Sequence, residues 1–128
     1  MSLYDSDFYQ WTVEQAKLLR AGLLDRLDIE NLAEEVEAMG RSEKRELVSR
    51  LAVVLAHMLK WEHQPEMRGR SWELTIKEQR LQLSDHLQDN PSLSSILPTS
   101  IERAYRRALV RAKKETGLTS STFPPECP

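Results

Sequence analysis

The chain has 128 residues, enough for one domain, and a globular chain of this length buries roughly 65–70% of its unfolded surface without needing disulfide or metal staples. Its composition is 40% hydrophobic, 30% charged and 6% aromatic with four glycines and six prolines, a helical, water-soluble profile that excludes collagen-like, mucin-like and disulfide-framework chains. Eighteen basic against twenty acidic residues leave a formal charge of −2, so bulk charge does not make the chain a binder of phosphate backbones.

The single cysteine, Cys127, sits beside the last residue, which leaves no partner for an internal disulfide and no cysteine-based metal site. A reducing, cytoplasmic setting is the expectation. The start, Met1 to Asp7, has neither the basic nor the apolar region of a secretory signal. The longest unbroken apolar run is Leu51 to Ala56, far below the roughly 20 residues that span a bilayer, so no membrane partner is expected. Dinucleotide, phosphate-loop, zinc-protease and serine-hydrolase motifs are missing, and no cofactor is expected.

In chain order, Thr12 with Gln15 forms a capping-box pattern and predicts a short first helix over 13–21, with Ala16, Leu19 and Leu23 facing a core and Gly22 ending it. Asp28 predicts the cap of a second helix whose inward stripe is Ile29, Leu32, Val36 and Met39, with Gly40 as its stop. Ser42 then caps a third helix reaching Glu62, before Gln64 and Pro65. Its apolar positions, Leu47, Val48, Leu51, Ala52, Val54, Leu55, Met58 and Leu59, cover nearly half the circumference, which makes it the central helix.

Ser71 predicts the cap of a fourth helix to Asp89, with Trp72, Ile76, Leu83 and Leu87 inward, broken by Asn90 and Pro91. Pro98 and Thr99 open a fifth, whose face of Ile101, Ala104, Tyr105, Ala108, Leu109 and Ala112 follows helical spacing until Thr116 and Gly117. Nothing alternates with period two. The expected fold is all-α, a single bundle of four to five helices over residues 1–117 with a short extended tail over 118–128.

The histidines are natural candidates for metal or acid–base work, but their spacing opposes it. His57 and His63 lie six residues apart, about 240° around and about 9 Å along one helix. A hairpin turning near Met67 sets position 57 level with 77, leaving His86 about 13 Å further along. No metal site is expected, and His57 remains the weak acid–base candidate. The glutamates Glu30, Glu34, Glu35 and Glu37 lack the Glu-x-x-His partner of a di-iron bundle and read as a solvated acidic face.

Lys60 to Trp72 holds the densest chemistry. Arg68, Arg70 and Ser71 precede or open a helix whose first amides are unpaired, and with Lys60 they are the candidate ligands for a small anion such as phosphate or carboxylate. Trp61 and Trp72 are equally read as packing for the hairpin end or as contact residues. The fifth helix carries Arg103, Arg106, Arg107, Arg111, Lys113 and Lys114 on its polar face, a stripe suited to nucleic-acid phosphates over 101–114. Aromatic residues are not interleaved there, and an acidic partner exists within the same sequence. Residues 1–40 hold nine acids and three bases, net −6, whereas 41–128 hold fifteen bases and eleven acids, net +4. Nucleic acid is therefore not the expected partner, and a self-complementary contact is.

A family resemblance runs through these residues. Tyr4-Asp5-Ser6-Asp7-Phe8-Tyr9-x-Trp11, Gln15-Ala16-x-Leu18-Leu19-Arg20-x-Gly22, Leu27-Asp28-x-x-Asn31-Leu32-x-Glu34-Glu35 and Met39-Gly40 resemble the bacterial family of domains of unknown function numbered 29. So do His57-x-Leu59-Lys60-Trp61, Gln64-Pro65-Glu66, Ser71-Trp72-x-x-Thr75-Ile76, Arg80, Asn90-Pro91-Ser92-Leu93, Ala104-Tyr105, Glu115-Thr116-Gly117-Leu118 and Phe123-Pro124-x-x-Cys127-Pro128. The resemblance implies a small helical bacterial protein and assigns no activity. Relatives more often carry tyrosine at the position of His63, which further weakens a metal role there.

The expectation is a non-enzymatic module acting through a protein partner or as a homodimer, with Trp61, Trp72, Arg103, Arg107 and Lys114 as contact residues. The enzyme alternative places His57 and Trp61 in a cleft beside the Arg68–Ser71 loop, without a convincing nucleophile. A concave pocket containing His57 favours the second reading and an exposed apolar patch the first.

Overall fold

Helical periodicity and capping account for most of the chain in the computed structural model, which describes residues 2–128. The protein is all-α: helices α1 (Leu3–Ser6), α2 (Phe8–Ala21), α3 (Ile29–His63), α4 (Arg70–Asp89) and α5 (Leu97–Thr116) follow one another, the last four joined by short 3₁₀ turns, and no strand occurs among the described residues. None of these helices is long and apolar enough to cross a membrane. The chain divides into two compact units, Met1–Ser42 and Glu43–Pro128.

In the first unit, α2 starts five residues earlier than the capping-box pattern predicts. Asp7 is the N-cap and its carboxylate accepts from the Gln10 amide at 3.1 Å, while the Thr12 hydroxyl donates back to the Tyr9 carbonyl from inside the helix. The early start turns Phe8 and Trp11 onto one side with Tyr4 of α1, and the three rings meet at centroid distances of 4.7, 5.5 and 5.6 Å. Trp11 is buried and donates from Nε1 to Asp28 Oδ2 at 2.9 Å; Asn31 donates to the same oxygen at 2.8 Å. Gln15 accepts from the Asp28 amide at 2.9 Å, so buried polar groups tie α2 to the start of α3. Gly22 ends α2 in the left-handed region, φ 72°, as predicted for a C-terminal cap.

The predicted break at Gly40 and Ser42 does not occur, and the second and third expected helices are one element of 35 residues. Gly40 keeps a negative φ, and Arg41 reaches back to Glu34 at 3.2 Å and to Glu37 at 3.8 Å across the place where the helix was expected to stop. One glycine costs a helix about 1 kcal/mol, which the surrounding helix formers and these pairs outweigh. The stripe expected to face a core is also corrected: Ile29, Val36 and Met39 are 66, 60 and 62% exposed.

The second unit gathers the later part of α3 with α4 and α5. Leu47, Val54 and Leu83 form one buried cluster with Leu51, Leu87 and Leu93 against it; Val48, Ala52 and Ala104 form another. A third joins Ala56 and Leu59 of α3 to Tyr105, Ala108 and Ala112 of α5 and to Phe123 beyond it. The fully buried alanines at 56, 104, 108 and 112 let the helix backbones approach closely. Gly117, φ 73°, caps α5, and the Tyr105 hydroxyl donates to the Pro124 carbonyl at 2.6 Å, holding the segment that follows.

Candidate functional site

Pro65 begins a 3₁₀ turn over Pro65–Met67 that reverses the chain between α3 and α4. Lys60, in the last turn of α3, is 7% exposed and donates to Glu115 Oε2 of α5 at 2.6 Å, with its ammonium 5.2 Å from the centre of the Trp72 ring of α4. Arg111 holds the other carboxylate oxygen at 3.1 Å. The Lys60 hydrogen bond, followed by that from Arg111, keeps the Glu115 carboxyl below its ordinary range against the opposing effect of burial. A lysine read from the sequence as an anion ligand therefore already has its anion, supplied by α5.

Arg68 is engaged as well. It donates from Nε to the Trp61 carbonyl at 2.6 Å and lays its guanidinium 5.3 Å from the centre of the Trp61 ring. Arg70 and Ser71 are exposed in the first turn of α4; Gly69 is the N-cap, and Ser71 lies inside the helix rather than capping it. Of the four anion candidates, the structure groups Lys60 with Trp72 and Glu115, pairs Arg68 with Trp61, and leaves Arg70 and Ser71 at the surface.

A cleft of about 420 Å³ opens between α3 and α4, lined by Met58, Trp61, Glu62, Glu73, Ile76 and Arg80 among others. His57 is not in its lining. The half-buried imidazole donates from Nδ1 to the Val53 carbonyl at 2.9 Å, and burial pulls its pKa below the ordinary histidine value. His63 places its ring 5.1 Å from that of Phe123, edge to face at 80°. Cys127 is free and exposed.

Arg103, Arg107 and Lys114 are exposed on the outer face of α5. Val110 on the same face is 65% exposed, and a shallow depression around it is lined by Arg106, Arg107, Arg111, Lys114 and Glu115. In the first unit the acidic residues flank the exposed stripe of α3: Glu30, Glu34 and Glu37 are exposed, and Glu35 accepts from the Tyr4 hydroxyl, a contact that pushes the Tyr4 pKa up to about 12.

Sequence reasoning missed one constellation. Glu43 and Glu46 of α3 and His86 of α4 bring ligand atoms within 4.8 Å of one another. The hairpin register that separates His86 from His57 also sets position 86 level with about position 48, two residues or about 3 Å from Glu46, so the signal lay in the same arithmetic.

Short turns, alanine-lined helix contacts and charged outer faces define a small all-α helical protein. Its sequence matches the model of the family described as "Domain of unknown function DUF29" over residues 3–128, and the chain belongs to that family. Neither the curated proteins nor the solved structures compared with it gave a match.

Proposed function

We propose that this protein is an interaction module that associates with a second copy of itself, α3's apolar stripe in one copy meeting the basic face of α5 in the other. The observation that carries the reading is the exposure of Ile29, Val36 and Met39, three large apolar side chains recurring along one side of a helix. Leu32, half-buried, lies on the same side. Glutamates border this stripe, whereas arginines and Lys114 border exposed Val110, so the two faces match in both polarity and charge. Two acid-bordered stripes brought together would repel, which favours unlike faces. A two-fold dimer makes such a contact twice. The free cysteine supports a reducing, cytoplasmic setting as part of this proposal.

Sedimentation velocity over a concentration series tests it. The wild-type chain is expected to dimerise, more weakly as salt rises. Val36→Asp and Val110→Asp each abolish the dimer alone, but an equimolar mixture recovers a heterodimer because one of the two contacts is intact. A monomer at every concentration at low salt, or single variants that dimerise like wild type, would overturn the reading.

A further inference from the structure

The strongest unassigned chemistry lies where α4 crosses the beginning of the second unit's stretch of α3. His86 is 8% exposed, and its Nε2 is 3.0 Å from the Glu43 backbone carbonyl. A carbonyl only accepts, so Nε2 carries the hydrogen, and in a neutral imidazole Nδ1 then presents its lone pair. Nδ1 has no hydrogen-bond partner. It faces Glu43 Oε2 at 3.6 Å and Glu46 Oε2 at 3.7 Å, two further acceptors. Three acceptors converging from a buried ring and two carboxylates repel one another unless a proton on Nδ1 or a metal ion sits between them.

The surroundings are arranged for that charge. Arg50 donates to Glu46 Oε1 at 2.8 and 3.0 Å, fixing the carboxylate while leaving Oε2 turned towards His86. Asp85 and Asp89 line the adjoining cleft of about 290 Å³ with Glu46 and His86, giving entry from solvent past further carboxylates. A backbone carbonyl holding the distal nitrogen of the ring is the orientation that metal-ligating histidines require.

We propose that Glu43, Glu46 and His86 bind a first-row divalent cation, with zinc favoured by the ligand set. Zinc takes imidazole nitrogen and carboxylate oxygen at about 2.0–2.1 Å, which in a tetrahedron sets ligands about 3.3 Å apart. The 3.6 and 3.7 Å from Nδ1 need a contraction of a few tenths of an ångström, and the two carboxylate oxygens, within 4.8 Å of each other, close the third edge by rotation of the partly exposed Glu43 side chain. Three protein ligands leave one position for water or an incoming anion. The proposal is independent of self-association, since it rests on residues of α3 and α4 within the second unit.

Zinc titration by isothermal calorimetry on the untagged, EDTA-treated full chain tests it, alongside the visible spectrum of the cobalt-substituted protein. The expected result is one equivalent of zinc, a tetrahedral cobalt spectrum, and affinity lowered tenfold or more in Glu43→Gln and His86→Gln but unchanged in Cys127→Ser. Far-UV circular dichroism in EDTA checks folding; should His86→Gln unfold, Glu43→Gln on a partly exposed side chain carries the test. Absence of binding at about 1 mM zinc overturns the proposal. So does binding that survives Glu43→Gln, or that disappears in Cys127→Ser.

Discussion

Replacing Phe123 by alanine removes the side chain that binds the C-terminal segment to α3 and α5. Phe123 is 4% exposed in a slot formed by Ala56, Leu59, Tyr105, Ala108 and Ala112, all at 3% exposure or less. The alanines cannot move into the vacated space without drawing the helix backbones together. A buried phenylalanine removes about 200 Å² from water, worth about 5 kcal/mol at roughly 25 cal/mol per Å². The mutant releases the segment and recovers part of its conformational entropy, so the net loss expected is about 3 kcal/mol, near the low end of measured Phe→Ala substitutions.

Tyr105→Phe removes the 2.6 Å hydrogen bond to the Pro124 carbonyl and costs about 1 kcal/mol. The two losses are expected to be non-additive. Once Phe123→Ala has freed the segment, Pro124 is no longer held beside Tyr105, and the double mutant is little worse than Phe123→Ala alone. Urea unfolding followed at 222 nm gives all four stabilities. A loss below about 1 kcal/mol for Phe123→Ala with strict additivity, or a chain cut after Gly117 that unfolds at the wild-type midpoint, would refute the reasoning.

Gly40→Ala is expected to stabilise the protein by about 1 kcal/mol, because φ is negative there and an added Cβ meets nothing within 4 Å; a lower urea midpoint would contradict this. Glu115→Gln is expected to cost about 1–2 kcal/mol at pH 7, less than a fully buried pair because the glutamate is about one-third exposed. The Glu115 carboxyl is held below its ordinary 4.5, so its contribution is complete above pH 4.5 and disappears as pH falls through the lowered value; acid titration of stability should be steeper in wild type than in Glu115→Gln.

The elements most legible in the sequence are those whose pattern and punctuation agree. In α5, apolar spacing from Ile101 to Ala112, Pro98 at the start and Gly117 at the end all point one way, and Ala104, Ala108 and Ala112 are fully buried. At Gly40 the cues conflict. Glycine marks a helix end when the next turn loses its support, and here Arg41 and its glutamates supply that support. The same conflict hid the exposed stripe: Ile29, Leu32, Val36 and Met39 have core-like spacing, but spacing reports that a helix has an apolar side and not what covers it.

The site residues were less legible because their chemistry depends on partners in other helices. Lys60 and Glu115 are 55 positions apart and His86 and Glu43 are 43 apart, so neither pair has a local signature. Reading Lys60 as free charge overstated what the basic stretch offers to a partner; Lys60, Arg50 and Arg111 are all paired within the second unit. The exposed positive charge on the outer face of α5 therefore resides in Arg103, Arg106, Arg107 and Lys114, a patch centred on exposed Val110. Removing the paired bases from the count narrows the charge asymmetry but sharpens its location. Salt dependence of self-association should respond to charge reversal at Arg107 and not to loss of Lys60, whose charge is already neutralised by Glu115.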